Sequence, residues 1–152
     1  MQKISQPWCD LTKARRMLAA ANHIAVVGLS PKEARPSNQV ARYLVARGFV
    51  VIPINPGQDQ ILGLPCFPDL TTAVNELGVG IDLVNIFRRA ELVGPIVREA
   101  IAIGAGGIWM QEGVVNPEAA GEAEAAGLEV IMDQCLKTIH QQLWPPTRCN
   151  KQ

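Results

Sequence analysis

IAVVGLSPKEARPSNQVARYLVARGFVVIPI, residues 24–54, contains two apolar runs separated by a polar loop and a segment with helical spacing. The apolar runs, IAVVG (24–28) and VVIPI (50–54), do not alternate with polar residues, which is typical of strands buried on both faces of a parallel sheet. Between them, Val40 and Leu44 lie at the spacing of one helix face. The stretch therefore predicts a strand, a helix and a second, parallel strand.

Three further apolar runs repeat this pattern along the chain. They are IDLVNIF (81–87), GIWM (107–110) and LEVIM (128–132). We therefore expect one α/β domain of Rossmann type across 1–152, a doubly wound parallel sheet of five strands with flanking helices. We expect the strand order 3-2-1-4-5, an N-terminal helix within 1–21, the core in 22–137 and a C-terminal tail in 138–152.

Capping residues and glycines mark the predicted ends of the helices. Asn116 followed by Pro117 and Glu118 predicts a start, because it combines a cap, a preset φ and an acid near the positive end of the helix. The other predicted starts are Asp10, Ser37, Asp69 and Ala90, and the predicted ends are Gly48, Gly104 and Gly127.

Charge and composition limit the partners that we expect. Fourteen basic and fourteen acidic residues give a formal net charge of zero, whereas nucleic-acid binders usually carry a basic excess. No run of about 18 apolar residues and no signal-peptide core occur, so we expect a cytoplasmic protein that does not bind membranes. The cysteines have no metal-ligand spacing, so we expect neither a metal site nor a disulfide framework. They are Cys9, Cys66, Cys135 and Cys149.

The loop after the first strand, GLSPKEARPSN (28–38), is a candidate phosphate site. Ligands of open α/β sheets bind outside the carboxyl ends of the strands, and the free N–H groups that start a helix favour a phosphate. The usual dinucleotide fingerprint is broken, because Ser30 and Glu33 occupy its second and third glycine positions. An ordinary charged surface loop is the alternative. The candidate ligand residues are Gly28, Ser30, Lys32, Arg35, Ser37 and Asn38.

The next two strands end in residues that suit a nucleotide. Asn55 and Pro56 follow the second strand, where an NAD site would carry Asp or Glu, and the neutral Asn55 tolerates a ribose with a 3′-phosphate. A plain turn that closes the strand is the alternative. Phe87 and Arg88 follow the third strand, and this pair could pack on an adenine and bind a phosphate. Arg89 is further from the strand and suits a solvated helix start.

Gln111, Glu112 and Gly113 follow the fourth strand, which the expected order places beside Gly28. Glu112 has the chemistry of a general base, but no nucleophile or second acid is near it in sequence, so a solvent-facing residue is the alternative. Cys135 follows the fifth strand and is either a small buried residue or a thiol for thiol-cofactor chemistry. We expect no complete catalytic set.

Six stretches of the chain occur in the order of a known family. They are VVGLSPKEARPSNQVARYL, GFVVIPINP, ILGLPCFPDL, IDLVNIFRR, IWMQEGVVN and GLEVIMDQC, which cover about residues 22–137. The chain resembles the small bacterial CoA-binding domain proteins, relatives of the N-terminal domain of the succinyl-CoA synthetase α subunit. The segment IWMQEGVV also resembles the strand and Glu-Gly turn of that subunit.

The resemblance implies that coenzyme A, or an acyl-CoA, is held at the carboxyl ends of the strands. It places Gly28, Ser30, Lys32 and Ser37 on the pyrophosphate side, Asn55 and Pro56 on the adenosine side, and Phe87 and Arg88 along the site. The synthetase also uses a phosphorylated histidine in a second domain and a partner subunit, which have no counterpart in these 152 residues. The resemblance therefore implies binding rather than ligase activity.

Four functions stay open at this point. We favour a non-catalytic binding, carrier or regulatory module for CoA or acyl-CoA. The alternatives are an NAD(H)-binding redox sensor, an acyl-CoA-processing enzyme that uses Glu112 or Cys135, and an interaction protein with a vestigial pocket. The oligomeric state, a protein partner and the identity of any acyl group are not determined by the sequence.

Overall fold

The computed structural model describes residues 10–145, and a five-stranded parallel sheet forms its centre. The strands of this sheet are β1 (His23–Val27), β2 (Val50–Ile54), β5 (Leu83–Ile86), β6 (Gly107–Met110) and β7 (Glu129–Ile131). A short antiparallel hairpin follows β2 and consists of β3 (Gln60–Ile61) and β4 (Leu64–Pro65). The α/β fold with five parallel strands is confirmed.

Helices cover both faces of the sheet. They are α1 (Leu11–Ala20), α2 (Pro36–Ala46), α3 (Leu70–Leu77), α4 (Val93–Ala102), α5 (Pro117–Ala125) and α6 (Leu136–Leu143), with a 3-10 turn at Ala90–Leu92 before α4. The buried residues form two clusters: α1, α2 and α6 pack on one face of the sheet, and α3, α4 and α5 pack on the other. None of these helices, all within residues 10–145, is long and apolar enough to cross a membrane.

The strand order is β2-β1-β5-β6-β7, so the expected order 3-2-1-4-5 is wrong. The third long strand, β5, pairs with β1 instead of lying outside β2. The outer edge of β2 is occupied by the chain that follows the hairpin, because Phe67 exchanges backbone hydrogen bonds with Asn55 (2.9 Å) and Pro53 (3.1 Å). With that edge taken, the chain crosses over through α3 and adds β5 on the other side of β1.

This order moves the topological switch point, where successive crossovers turn in opposite directions. It lies between β1 and β5, and not between β1 and β6 as expected. The loops after β1 and β5 are therefore direct neighbours. The residues after β6 lie one strand further away from the loop after β1.

Three of the predicted helix starts have the capping geometry that the sequence indicated. The side chains of Asp10, Asp69 and Asn116 each accept a hydrogen bond from the backbone N–H three residues later. The predicted Ser37 cap is wrong. Helix α2 begins at Pro36 with Arg35 as its capping residue, and Ser37 lies in the first turn, where its hydroxyl accepts from another part of the loop.

Candidate functional site

Gly28 determines how the loops after β1 and β5 meet. Its φ is +87°, and a Cβ atom at this position would lie 2.7 Å from the carbonyl oxygen of Phe87 and 3.1 Å from Cδ of Arg88. Glycine is required because it tolerates both the positive φ and the close backbone approach. Phe87 and Arg88 are thus the neighbours of Gly28, in the place where we expected Gln111 and Glu112.

The loop from Gly28 to Asn38 is tied together by its own side chains. The backbone N–H of Ser30 donates to Oγ of Ser37 (2.9 Å), and Nδ2 of Asn38 donates to the carbonyl oxygen of Ser30 (2.9 Å). Ser37 and Asn38 are buried, whereas Lys32 and Arg35 are exposed. The side chains of Ser37 and Asn38 therefore shape the loop, and the two exposed cations project from it.

Arg42, which we did not single out in the sequence, extends this network from the second turn of α2. Its Nε donates to Oδ1 of Asn38 (2.8 Å), and its Nη2 donates to the carbonyl oxygen of Glu33 (2.9 Å). Because Arg42 lies four residues after Asn38, both side chains are on one side of the helix. That spacing was visible in the sequence, but the contact with Glu33 requires the fold of the loop.

Asn55 links the loop after β2 to the loop after β1. Its Nδ2 donates to the carbonyl oxygen of Leu29 (2.9 Å), and its Oδ1 accepts from the backbone N–H of Gly57 (2.8 Å). An aspartate could accept from Gly57 but could not donate to Leu29. Asn55 is therefore part of the scaffold that positions the loop from Gly28 to Asn38, and its neighbour Pro56 is exposed.

A large cavity lies at the carboxyl edge of the sheet, on the face covered by α2 and α6. We call it the main cleft, and its volume is about 710 Å³. A second, smaller cavity of about 120 Å³, the side pocket, lies on the opposite face and includes Gly28, Pro56 and Arg88. The main cleft is lined by Pro36, Gln39, Val40, Phe87, Arg88, Arg89, Gln111, Glu112, Gly113, Val114, Cys135, Lys137, Thr138 and Gln141.

The two cavities divide the residues that the sequence singled out. The main cleft contains Phe87, Arg88, Gln111, Glu112 and Gly113, and Arg88 borders both cavities. The residues that line neither cavity are Ser30, Lys32, Arg35, Ser37, Asn38 and Asn55. The predicted residues thus gather at one edge of the sheet, but they occupy two cavities and the loop between them.

One wall of the main cleft was not anticipated as a whole. It consists of Cys135, Lys137, Thr138 and Gln141, and we call it the α6 wall. Cys135 is the capping residue of α6, and the other three belong to its first two turns. The sequence did indicate this region. Ligands bind outside the carboxyl ends of parallel strands, and α6 starts directly after the last strand.

The turn after β6 is held against the start of α6. Asp133 accepts a hydrogen bond from the backbone N–H of Gly113 (2.8 Å), and Nε1 of Trp109 donates to the carbonyl oxygen of Gln134 (2.9 Å). Gln111 is 5% exposed, and its Oε1 accepts a long bond of 3.4 Å from the backbone N–H of Leu136. These contacts place the side chain of Gln111 next to the α6 wall.

The lining of the main cleft is more basic than acidic. Its lining includes three cations, Arg88, Arg89 and Lys137. It includes one carboxylate, that of Glu112. Arg89 also lies 3.7 Å from a carboxylate oxygen of Glu91 in an exposed pair. An excess of cations at the carboxyl edge suits an anionic ligand such as a phosphate ester. Within residues 10–145, no group of three or more His, Cys, Asp or Glu residues could hold a metal ion.

A partly buried contact joins the two helices whose first turns border the main cleft. Oη of Tyr43 on α2 lies 2.6 Å from Nδ1 of His140 on α6. The Arg47 guanidinium donates to the same hydroxyl (3.2 Å). Burial lowers the pKa of His140 below its ordinary value, and the charge of Arg47 lowers it further.

A family model described as a CoA binding domain matches residues 22–141. The chain therefore belongs to the CoA-binding domain family. This match covers all seven strands and every predicted ligand residue.

Individual relatives agree with this assignment. The protein YneT of Bacillus subtilis is 36% identical over 126 residues, which are 83% of this chain and 90% of YneT. The ADP-forming acetate–CoA ligase I of Archaeoglobus fulgidus is 29% identical over 132 residues, but these make up only 18% of the ligase. A solved structure from Pyrococcus horikoshii is 32% identical with a TM-score of 0.84, and the match covers 94% of this chain and 99% of that one.

Proposed function

We propose that this chain binds coenzyme A, free or acylated, at the carboxyl edge of the sheet, as a binding, carrier or regulatory module. The observation that carries the proposal is the basic main cleft beside the switch point of a chain in the CoA-binding domain family. The acetate–CoA ligase has CoA in its name, and the match with this chain covers only 18% of its length. This is consistent with a ligand-binding unit that can occur apart from the rest of a ligase.

The proposed placement uses the two cavities and the loop between them. The pyrophosphate lies against the loop of Gly28, Ser30, Lys32 and Arg35, whose shape is held by the buried side chains of Ser37 and Asn38. The adenosine lies towards Asn55 and Pro56, near the side pocket. Arg88 borders both parts of the ligand and Phe87 lines the main cleft. The pantetheine arm runs along the main cleft past Gln111, Glu112 and Gly113.

The position of Asn55 also favours CoA over NAD(H). The Asn55 amide donates to the carbonyl oxygen of Leu29. The carboxylate of an acidic residue, as in an NAD site, has no proton to donate and would face this carbonyl oxygen as a second acceptor. A scaffold built on this amide leaves no carboxylate to hold both ribose hydroxyls. The neutral side chain remains compatible with a 3′-phosphate.

Calorimetric titration of the ligand-free protein tests the proposal, with CoA, dephospho-CoA and NAD compared at equal concentrations. We expect CoA to bind in the micromolar range or tighter and NAD to bind far more weakly. If CoA gives neither heat nor a rise in melting temperature up to millimolar concentration, the proposal is wrong. Steady turnover of an acyl-CoA that is lost in Glu112→Gln or Cys135→Ala would contradict the non-catalytic part alone.

Arg88 provides a residue-level test. If its guanidinium binds the 3′-phosphate, Arg88→Ala should weaken CoA by about 10- to 150-fold, the loss of one charged hydrogen bond of roughly 1.5–3 kcal/mol, and should barely affect dephospho-CoA. Arg98→Ala is the matched control, because Arg98 pairs with Glu122 on the surface of α4 and α5 and lines neither cavity. Equal weakening of both ligands would remove the phosphate assignment of Arg88.

A further inference from the structure

We propose that Cys135 forms a reversible mixed disulfide with CoA in the main cleft, by exchange with the symmetric disulfide of CoA. The inference rests on the proposed function, because it requires a pantetheine thiol at the far end of that cleft. Cys135 is then a modification site, and the amount of CoA that the protein holds depends on the concentration of CoA disulfide.

The first observation is the position of the thiol. Cys135 lines the main cleft, is half-buried, and is the capping residue of α6 without a side-chain capping bond. Cys66 offers a contrast, because its Sγ donates to the carbonyl oxygen of Asn55 (3.5 Å), burial raises the pKa of its thiol, and it lines neither cavity. Only the first of these two thiols is placed to meet a ligand of the main cleft.

The second observation is independent and concerns Gln111, which lines the same cleft and is only 5% exposed. Its Oε1 contacts the backbone N–H of Leu136, whereas the hydrogen bonds found in the described part of the chain give its amide nitrogen no acceptor. An NH₂ group that lines a cleft can donate to a ligand there, and the carbonyl oxygen of an amide is a suitable acceptor.

The two observations match the chemistry of a pantetheine arm. That arm ends in an amide followed by two methylene groups and the thiol, so an amide carbonyl bound by Gln111 leaves the ligand sulfur a short distance away. Leu136, which contacts Gln111, is bonded directly to Cys135. Gln111 is thus available to hold the ligand amide, and Cys135, the neighbour of Leu136 in the chain, is available to react with the ligand sulfur.

The proposed reaction is thiol–disulfide exchange with the symmetric disulfide of CoA. The Cys135 thiol releases its proton to water, and the resulting thiolate attacks one sulfur of the disulfide. The ligand S–S bond breaks, a new S–S bond joins Cys135 to one CoA, and the other CoA leaves as a thiolate that takes a proton from water. One disulfide is exchanged for another, so no further oxidant or reductant is required.

The test uses the full-length chain with Cys9, Cys66 and Cys149 changed to serine, so that Cys135 is the one remaining thiol. Incubation with CoA disulfide should add the mass of one CoA less two hydrogen atoms, and dithiothreitol should remove it. Binding in the cleft raises the local concentration of the reacting disulfide, so the reaction should be about 10-fold or more faster than with glutathione disulfide at equal concentration. Excess acetyl-CoA should slow it.

Gln111→Ala tests whether the Gln111 amide binds the ligand. It should reduce the rate advantage of CoA disulfide and leave the reaction with glutathione disulfide unchanged. Peptide mapping of the unaltered protein provides a second measurement if the serine variants fold poorly. If CoA binds but Cys135 stays unmodified, or reacts no faster than with glutathione disulfide, the inference is wrong while the proposed function stands. If CoA does not bind at all, the proposed function fails first.

Discussion

Two regions border the carboxyl edge of the sheet, and they are built differently. The loop from Gly28 to Asn38 is held by side chains that bond to the loop itself. They are the buried Ser37 and Asn38 and the exposed Arg42 of α2. The α6 wall presents Cys135, Lys137, Thr138 and Gln141 to the main cleft. A fixed loop suits the compact, charged pyrophosphate, whereas a wall of side chains that face a cleft of about 710 Å³ suits a longer, variable arm.

The difference shows that a sequence motif does not distinguish residues that hold a loop in shape from residues that face a ligand-binding cleft. Ser37 and Asn38 carry hydroxyl and amide groups that could bind a phosphate, yet the fold uses them to hold the loop. Gln111 carries the same amide chemistry and faces the cleft. Substitution of the buried side chains that hold the loop should therefore change mainly folding stability, whereas substitution of side chains that line the cleft should change mainly ligand binding.

The largest difference is expected between two glycines with positive φ. Gly28→Ala should lower the free energy of unfolding by about 2–3 kcal/mol and abolish CoA binding, because its new Cβ would meet the carbonyl oxygen of Phe87 at 2.7 Å. Gly113→Ala has a similar φ (+86°) but nothing within 4 Å, so only the backbone strain of about 1 kcal/mol applies. Urea unfolding measures both values, and equal losses would contradict the close approach at Gly28.

A smaller difference is expected between two hydroxyl residues. Ser37→Ala removes the acceptor of the Ser30 N–H and should destabilise the protein by about 1–2 kcal/mol, with a secondary loss of CoA affinity. Thr138→Ala removes an exposed hydroxyl of the α6 wall and should leave the unfolding free energy nearly unchanged. The comparison fails if Ser37→Ala weakens CoA binding without any loss of stability, because Ser37 would then contact the ligand itself.

The smallest expected effect concerns the contact between Tyr43 on α2 and His140 on α6, the helices next to the two regions. The pKa of His140 is lowered in the folded protein, so the unfolded chain takes up the proton first as the pH falls. Stability is fully present above the unfolded pKa near 6.5 and is lost as the pH falls from there towards the lower folded pKa.

The groups around His140 strengthen this expectation. The guanidinium of Arg47 lies over the ring of Tyr43, and its charge opposes a charged imidazole. Arg15 lies over the ring of Trp144, and Lys137 lies over that of Tyr43. Melting temperatures measured from pH 7.5 to 5 should fall for the natural protein and fall less for His140→Gln. Parallel curves for the two proteins would show that His140 does not contribute.

Much of the architecture followed from local features of the chain. The five unalternated apolar runs correspond to the five strands of the main sheet, and the caps at Asp10, Asp69 and Asn116 start helices as expected. These features are predictable because burial on two faces and unpaired N–H groups at a helix start impose requirements on neighbouring residues only. The hairpin of β3 and β4 was not predicted, since two residues per strand leave almost no pattern.

The candidate site was only partly predictable. The rule that ligands bind at the carboxyl ends of strands pointed to loops that border the two cavities, but it did not say which loops touch. The scaffold roles of Ser37 and Asn55 depend on partners seven and 26 positions away along the chain, at Ser30 and Leu29. The α6 wall was missed as a unit because its residues have no motif of their own.

By itself, the sequence determined an α/β chain with five buried parallel strands, capped helices, and a broken dinucleotide fingerprint at Ser30 and Glu33. These follow from periodicity and from the conformational limits of single residues. Only the tertiary structure decided that β5 lies beside β1, that Arg88 borders two cavities, and that Cys135 and Gln111 share one cleft. The physical reason is that Phe67 pairs with the outer edge of β2, and this long-range hydrogen bonding leaves the chain one free side of β1 on which to continue the sheet.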